Sequence, residues 1–113
     1  MNLYDTLTAK LNGRDVRTVG NNTRVRYVDD TCVAILLHHT EIVRAFDDGY
    51  FALDSGGWHT VTTKSRMNEY LPGGYRVYQQ DFAWSLRTPD GDVPFHDGMV
   101  LRDPDYHQDA AAA

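Results

Sequence analysis

Hydrophobic residues at the start of the chain recur at helical spacing. Leu3, Leu7 and Leu11 follow one another at intervals of four residues, which places their side chains on one face of a helix. Asn2 precedes this run, and its side chain can cap the first turn. The pattern predicts a helix over residues 3–11 whose apolar face packs against the rest of the domain.

The chain up to residue 53 then shows short runs of strand length, separated by glycine, asparagine and aspartate. These three residue types favour turns. Residues 32–38 are apolar on both faces, which is typical of a central strand. Consecutive short strands with tight turns favour an antiparallel meander. The predicted strands are residues 14–19, 23–28, 32–38, 41–46 and 50–53.

The second half of the chain combines one helix with further strands. Thr62 or Thr63 can cap a helix over residues 62–71, and Pro72 ends it. Four short strands follow, at residues 75–78, 82–86, 93–95 and 99–101. We expect the last two to pair with each other at an edge, because Pro94 suits only an edge strand.

Together these elements predict an α+β fold, with a small antiparallel β-meander sheet, one short helix packed on it and an N-terminal helix. We expect residues 1–103 to form a single domain of ordinary size and residues 104–113 to form a flexible acidic and alanine-rich tail. The core is predicted from apolar residues that share a face of each element. These residues are Val25, Tyr27, Val33, Ile35, Leu37, Ile42, Val43, Phe51, Leu53, Met67, Leu71, Phe82, Trp84 and Leu86.

Composition and charge narrow the classes of function. No apolar run reaches the roughly eighteen residues of a membrane span, and the N-terminal residues lack the pattern of a secretory signal. Cys32 is the single cysteine, so no internal disulfide can form, which suits a reducing cytoplasm. The net charge of −5 makes the protein a poor general binder of duplex nucleic acid.

Residues 53–71, with the sequence LDSGGWHTVTTKSRMNEYL, hold the densest group of potential ligand contacts. A glycine-rich loop before a helix start can offer backbone N–H groups to an anion. Trp58 can serve as a stacking platform; the alternative is that it packs in the core while the threonines cap the helix. The candidate ligand-binding residues are Trp58, His59, Thr62, Thr63, Lys64, Arg66 and Asn68.

Arg66 is the strongest of these candidates. Lys64 and Arg66 diverge by about 200° on a regular helix, so at most one of them directly contacts the ligand. The planar guanidinium of Arg66 suits phosphate or carboxylate. The alternative is that Arg66 ties the helix to the sheet through a carboxylate such as Asp54. Arg24 and Arg26 alternate with apolar neighbours and form a secondary basic face.

No established catalytic or metal-binding motif is present in the sequence. His38 and His39 are adjacent, so in a strand they point to opposite faces and cannot share a metal ion. Neither the HExxH nor the CxxC spacing occurs, and neither do the Walker and dinucleotide-binding patterns. We therefore predict no metal and no cofactor. A small hydrolase that uses His38, His39 or His59 with a nearby aspartate remains an alternative.

Several segments, among them LHHTEIV at residues 37–43, LDSGGWHTVTTKSRMN at residues 53–68 and PFHDGM at residues 94–99, resemble a recurrent small protein of tailed bacteriophages, notably phages of actinobacteria. The resemblance covers residues 20–101. It implies a phage accessory protein that acts in the host cytoplasm, but it carries over no catalytic residues. The N-terminal helix and the acidic tail lie outside it.

We therefore expect a non-enzymatic phage protein that acts by binding, in host takeover or counter-defence. Its partner is either a host protein or other macromolecule, or a small anionic, nucleotide-like ligand, and no membrane partner is expected. Exposed strand edges at residues 14–19 and 93–101 favour a homodimer. The remaining alternative is a virion or nucleic-acid accessory protein that uses a basic group formed by Arg14, Arg17, Arg24 and Arg26.

Overall fold

The computed structural model describes residues 2–106, in which two helices and nine strands give an α+β fold, as predicted. Asn2 caps the first helix through a hydrogen bond from the Asp5 N–H to its side chain. In chain order the elements are α1 (Leu3–Leu11), β1 (Val16–Gly20), β2 (Thr23–Asp29), β3 (Cys32–Leu37), β4 (Thr40–Phe46), β5 (Tyr50–Leu53), α2 (Val61–Tyr70), β6 (Arg76–Gln80), β7 (Ala83–Thr88), β8 (Gly91–Pro94) and β9 (Met99–Arg102).

Six antiparallel strands form the larger sheet, in the order β1-β2-β3-β4-β5-β9. Its register aligns Val25, Ile35, Val43, Leu53 and Met99 as cross-strand neighbours in one row. All five are buried, and they belong to the same core cluster as the leucines of α1 and a methionine of α2. Both helices therefore pack on this face of the sheet, which we call the core face.

The remaining strands form a second sheet, in the order β6-β7-β8. The predicted pairing of residues 93–95 with 99–101 is wrong, because β8 pairs with β7 and β9 pairs with β5. The chain crosses between the sheets after Pro94. Asp97 accepts hydrogen bonds from Ser55, and the Gly98 N–H donates to the Leu53 carbonyl at 2.8 Å. These bonds direct β9 to the edge of the larger sheet.

Two of the predicted core residues lie at the surface. Tyr27 is 37% exposed at the end of β2, and Phe82 is 97% exposed. Phe82 has φ +66 and forms the β6–β7 turn together with Asp81, so that β7 begins one residue later, at Ala83. Leu71 is only partly buried, and the other predicted core residues are buried.

The end of β9 anchors the N-terminal helix. Asp103 is buried, and its carboxylate accepts a hydrogen bond of 2.6 Å from the Leu3 N–H. The Tyr106 ring lies against Gly49, where a Cβ would come within 2.3 Å of the ring. Residues 104–106 of the predicted tail are therefore next to the domain, and residues 107–113 lie outside the described residues.

Candidate functional site

The loop between β5 and α2 is held in place mainly through its backbone. Ser55 is buried, and both its N–H and its hydroxyl donate to Asp97 Oδ1 at 2.7 Å. The Gly57 N–H donates back to Ser55 Oγ at 3.1 Å. Gly56 has φ +62, and a Cβ there would come within 2.8 Å of Thr40. Glycine is therefore required at this position, because the loop packs directly against the start of β4.

Helix α2 begins at Val61, one residue before the predicted range. The N-cap is Thr60, whose hydroxyl accepts a hydrogen bond from the Thr63 N–H at 3.1 Å, so the prediction of Thr62 or Thr63 as the cap is wrong. Thr60 suits this role because its backbone is extended, as an N-cap requires, while the residues after it are helical. Thr63 is buried, and its hydroxyl lies 3.0 Å from that of Thr60. Thr62 remains exposed.

A cleft of about 530 Å³ opens between this helix start and the β3–β4 turn. Trp58 is 66% exposed beside it, so the alternative in which Trp58 packs into the core is wrong; the tryptophan of the core is Trp84. The walls of the cleft combine threonine hydroxyls, two histidines and apolar side chains. The lining residues are Leu37, His38, His39, Thr40, Ile42, Ser55, Trp58, Thr60, Thr62 and Thr63.

His59 lies on the other side of the loop from the cleft. Its ring stacks on Trp84, with centroids 4.4 Å apart, and meets the edge of Phe95 at 6.2 Å. Partial desolvation raises the pKa of Asp97, but the hydrogen bonds from Ser55 and the nearby His59 lower it by more. The pKa of Asp97 therefore lies below its ordinary value of 3.8. The carboxylate is charged at neutral pH and holds the loop firmly.

The two predicted cations of α2 point away from the cleft. Lys64 Nζ lies 5.9 Å from the centre of the Trp84 ring and 3.4 Å from Gln79 Oε1. Arg66 Nε donates to Thr23 Oγ1 at 3.0 Å. Arg66 thus links α2 to β2, but the predicted partner Asp54 is wrong. The Asp54 carboxylate accepts from the Gly56 N–H at 2.7 Å instead.

Asn68 is bonded to the edge of the smaller sheet. Its Nδ2 donates to the Val77 carbonyl at 2.9 Å, and its Oδ1 accepts from the Val77 N–H at 2.8 Å. The amide therefore replaces a neighbouring strand at this point of β6. Of the seven candidate residues, the structure brings Trp58, Thr62 and Thr63 to the cleft. The other four, His59, Lys64, Arg66 and Asn68, face other parts of the molecule.

One protein family, described as the Kyanoviridae Gp96 protein, matches residues 4–102 of the chain. The chain belongs to this phage protein family. The match includes most of α1, so the N-terminal helix lies within the range that the family covers. No curated protein gives a significant match. No solved structure does so either.

In this member of the Kyanoviridae Gp96 family, the β3–β4 turn forms the second wall of the cleft, which was not predicted. His38 and His39 lie in the β3–β4 turn, with His38 at φ +56, so the prediction that they occupy opposite faces of a strand is wrong. Both line the cleft instead. An apolar run followed by His-His-Thr does not predict a turn, because histidine is not a strong turn former.

Within the described residues, neither Ser55 nor Cys32 is placed as an activated nucleophile. The Ser55 hydroxyl donates to Asp97 and not to a histidine. Burial raises the pKa of Cys32 to about 11, so its thiol stays protonated at neutral pH. Within residues 2–106, no group of three or more His, Cys, Asp or Glu side chains is placed to hold a metal ion. Neither helix of this range has the length and apolar character needed to cross a membrane.

The predicted basic residues divide between two faces of the larger sheet. Arg17 pairs with Val25 across the strands, and its Nη1 donates to the Lys10 carbonyl at the end of α1. Arg24 and Arg26 belong to the opposite face. Arg26 Nη2 lies 2.8 Å from Glu41 Oε2, and Arg24 Nη2 donates to a backbone carbonyl of the β3–β4 turn. The group of four arginines therefore does not form one patch.

Proposed function

We propose that this phage protein acts by binding a small ligand with a planar ring and an anionic group, of nucleotide type, in the cleft at the start of α2. The observation that carries this proposal is the exposed Trp58 beside a cleft of about 530 Å³. Small-molecule sites usually enclose about 300–1,000 Å³. The size of the cleft therefore favours a small ligand over a host macromolecule as its occupant.

The chemistry of the walls supports both parts of such a ligand. The face of an exposed indole can stack on a base. The Thr62 hydroxyl and the positive end of the α2 dipole favour an anionic group. His38 and His39 add imidazole nitrogens that can form hydrogen bonds with it. Since Lys64 and Arg66 point away from the cleft, the anionic group of the ligand would contact the start of α2 and the two histidines.

In infected cells this binding would remove a nucleotide-type signal that the host uses for defence. The protein would act in the host cytoplasm as a counter-defence factor, by occupancy and without turnover. Family membership supports a phage context, and the actinobacterial host stays a prediction. The homodimer expected from the exposed edges of β1 and β9 also stays a prediction.

The test is a thermal shift screen of the purified protein against mononucleotides and cyclic dinucleotides. A ligand that binds the native state raises the melting temperature. For any ligand found, calorimetric titration of Trp58→Ala should show an affinity loss of about 5- to 150-fold, the size of one lost stacking contact. Phe82→Ala is the matched control, because Phe82 is an exposed aromatic residue outside the cleft.

Three outcomes would count against the proposal. The first is that no nucleotide raises the melting temperature. The second is that Trp58→Ala binds as tightly as the unmodified protein, and the third is that Phe82→Ala loses as much affinity as Trp58→Ala. Consumption of a screened nucleotide would instead favour the small hydrolase.

A further inference from the structure

The face of the larger sheet that points away from both helices, which we call the outer face, carries regularly spaced arginines. Its register makes Arg26, Ala34, Arg44 and Ala52 cross-strand neighbours in one row. In the adjacent row, Tyr50 stands directly opposite Arg102. The side chains that form the hydrophobic core lie on the core face. The row therefore alternates arginines with buried alanines, and the exposed Val100 continues it on β9.

Charge on the outer face is opposite in sign to the net charge of the protein. Four arginines point to it, Arg24, Arg26, Arg44 and Arg102, against three carboxylates, those of Glu41, Asp54 and Asp29, which stands opposite Cys32 on the same face. Glu41 is bonded to Arg26, and Asp54 accepts from a backbone N–H of its own loop. Within residues 2–106, neither Arg44 nor Arg102 forms a salt bridge. A local positive surface thus persists on a chain with a formal charge of −5.

The spacing of these arginines suits an extended anionic chain. Arg26, Arg44 and Arg102 stand on β2, β4 and β9, each two strands from the next. Neighbouring strands are about 4.8 Å apart, so the arginines repeat at roughly 10 Å across the sheet. Ala34 and Ala52 lie between them and are buried, so the long side chains around them form the accessible surface of this face. Tyr50, which is 44% exposed, adds an aromatic ring beside Arg102.

We propose that the outer face binds single-stranded nucleic acid, which lies across the strands with its phosphates at Arg26, Arg44 and Arg102 and a base on Tyr50. Single strands are commonly bound by a positive surface combined with an exposed aromatic ring, on which a base can stack. An acidic peptide would use the arginines but would leave the ring of Tyr50 without a stacking partner. The surface adjoins the cleft at His39 and Thr40, but Arg26, Arg44 and Tyr50 do not line the cleft, so this inference does not depend on the nucleotide proposal.

The test is fluorescence anisotropy with labelled single-stranded DNA and RNA oligonucleotides and with a labelled polyglutamate peptide, over a range of salt concentrations. For three or four phosphate contacts, the logarithm of the affinity should fall against the logarithm of salt with a slope of about −2 to −3. Arg44→Gln should weaken the oligonucleotide affinity and make the slope shallower by about 0.7, whereas Arg44→Lys should keep the slope. Tyr50→Ala should lower the affinity by about 5- to 150-fold with little change of slope.

Arg87→Gln is the matched control, because Arg87 is an exposed arginine of the smaller sheet, 3.7 Å from Asp92. It should leave both affinity and slope unchanged. The proposal is overturned if oligonucleotides fail to bind at low salt, or if Arg87→Gln and Arg44→Gln have equal effects. Binding of polyglutamate with the same dependence on Arg44, and with no effect of Tyr50→Ala, would assign the face to an acidic protein instead. Circular dichroism of each variant confirms that the fold is kept.

Discussion

The loop before α2 and the helix itself come from one polar stretch of sequence, but the fold uses their side chains in opposite ways. In the loop, anchoring depends on backbone N–H groups and the buried Ser55, which leaves Trp58 exposed. In the helix, Arg66 and Asn68 make hydrogen bonds to two different sheets. A high density of polar residues therefore occurs at the proposed binding surface in the first half and at a structural junction in the second.

Helical spacing explains how α2 serves two sheets at once. Lys64 and Asn68 are four residues apart and both reach β6, while Thr63 and Met67 are four residues apart and both are buried. Arg66 lies on a third side and reaches β2. Each side of the helix thus has its own neighbour. Polar groups on such a junction contribute to stability.

The largest effect in this comparison is expected at Asn68. Replacement by alanine removes both hydrogen bonds to Val77, whose backbone then lacks its partners on the half-buried edge of β6. We expect the free energy of unfolding to fall by about 2–3 kcal/mol, measured by urea denaturation. Nucleotide binding in the cleft should persist below the new unfolding midpoint.

Ser65→Ala is the matched control on the same helix, because Ser65 is exposed. Its free energy of unfolding should stay within about 0.5 kcal/mol of the unmodified protein. If Asn68→Ala kept full stability but lost ligand binding, the helix would have to be regarded as part of the site.

Local periodicity was sufficient to predict most of the elements, but the pairing between distant strands was not predictable in this way. The apolar run of β3 and the leucines of α1 gave correct elements because burial imposes their pattern directly. The placement of β9 beside β5 depends on Asp97 reaching Ser55, and no local pattern reveals a contact between residues so far apart in sequence. For the same reason, only the wall of the cleft at the start of α2 was predicted. The other wall, the β3–β4 turn, belongs to a hairpin that is distant in the sequence.

A smaller effect, dependent on pH, is expected at Asp97. Alanine at this position removes the acceptor for the buried N–H and hydroxyl of Ser55, which should cost about 1–2 kcal/mol at pH 7. The folded pKa of Asp97 lies below the ordinary 3.8, so the stabilisation is present above that pH and is lost as the pH falls through the folded pKa.

The difference in unfolding free energy between the unmodified protein and Asp97→Ala should therefore be constant from pH 7 to about pH 5 and shrink below pH 3.8. Urea denaturation at each pH measures it. Asp90→Ala is a suitable control, since Asp90 is an exposed aspartate of the β7–β8 turn. A difference that grew as the pH fell would contradict the proposed anchoring of the loop by a charged carboxylate.

The smallest effect is expected at Arg66, where the two interpretations of the polar stretch differ most. The bond from Arg66 Nε to Thr23 predicts that Arg66→Ala lowers the free energy of unfolding by about 1 kcal/mol and leaves nucleotide affinity unchanged. The loss is limited because the Thr23 hydroxyl still donates to the Asn21 carbonyl at 2.7 Å. If Arg66 contacted the ligand instead, the same variant would keep its stability and lose binding. Denaturation and titration of this variant therefore decide whether the binding surface ends at the helix start.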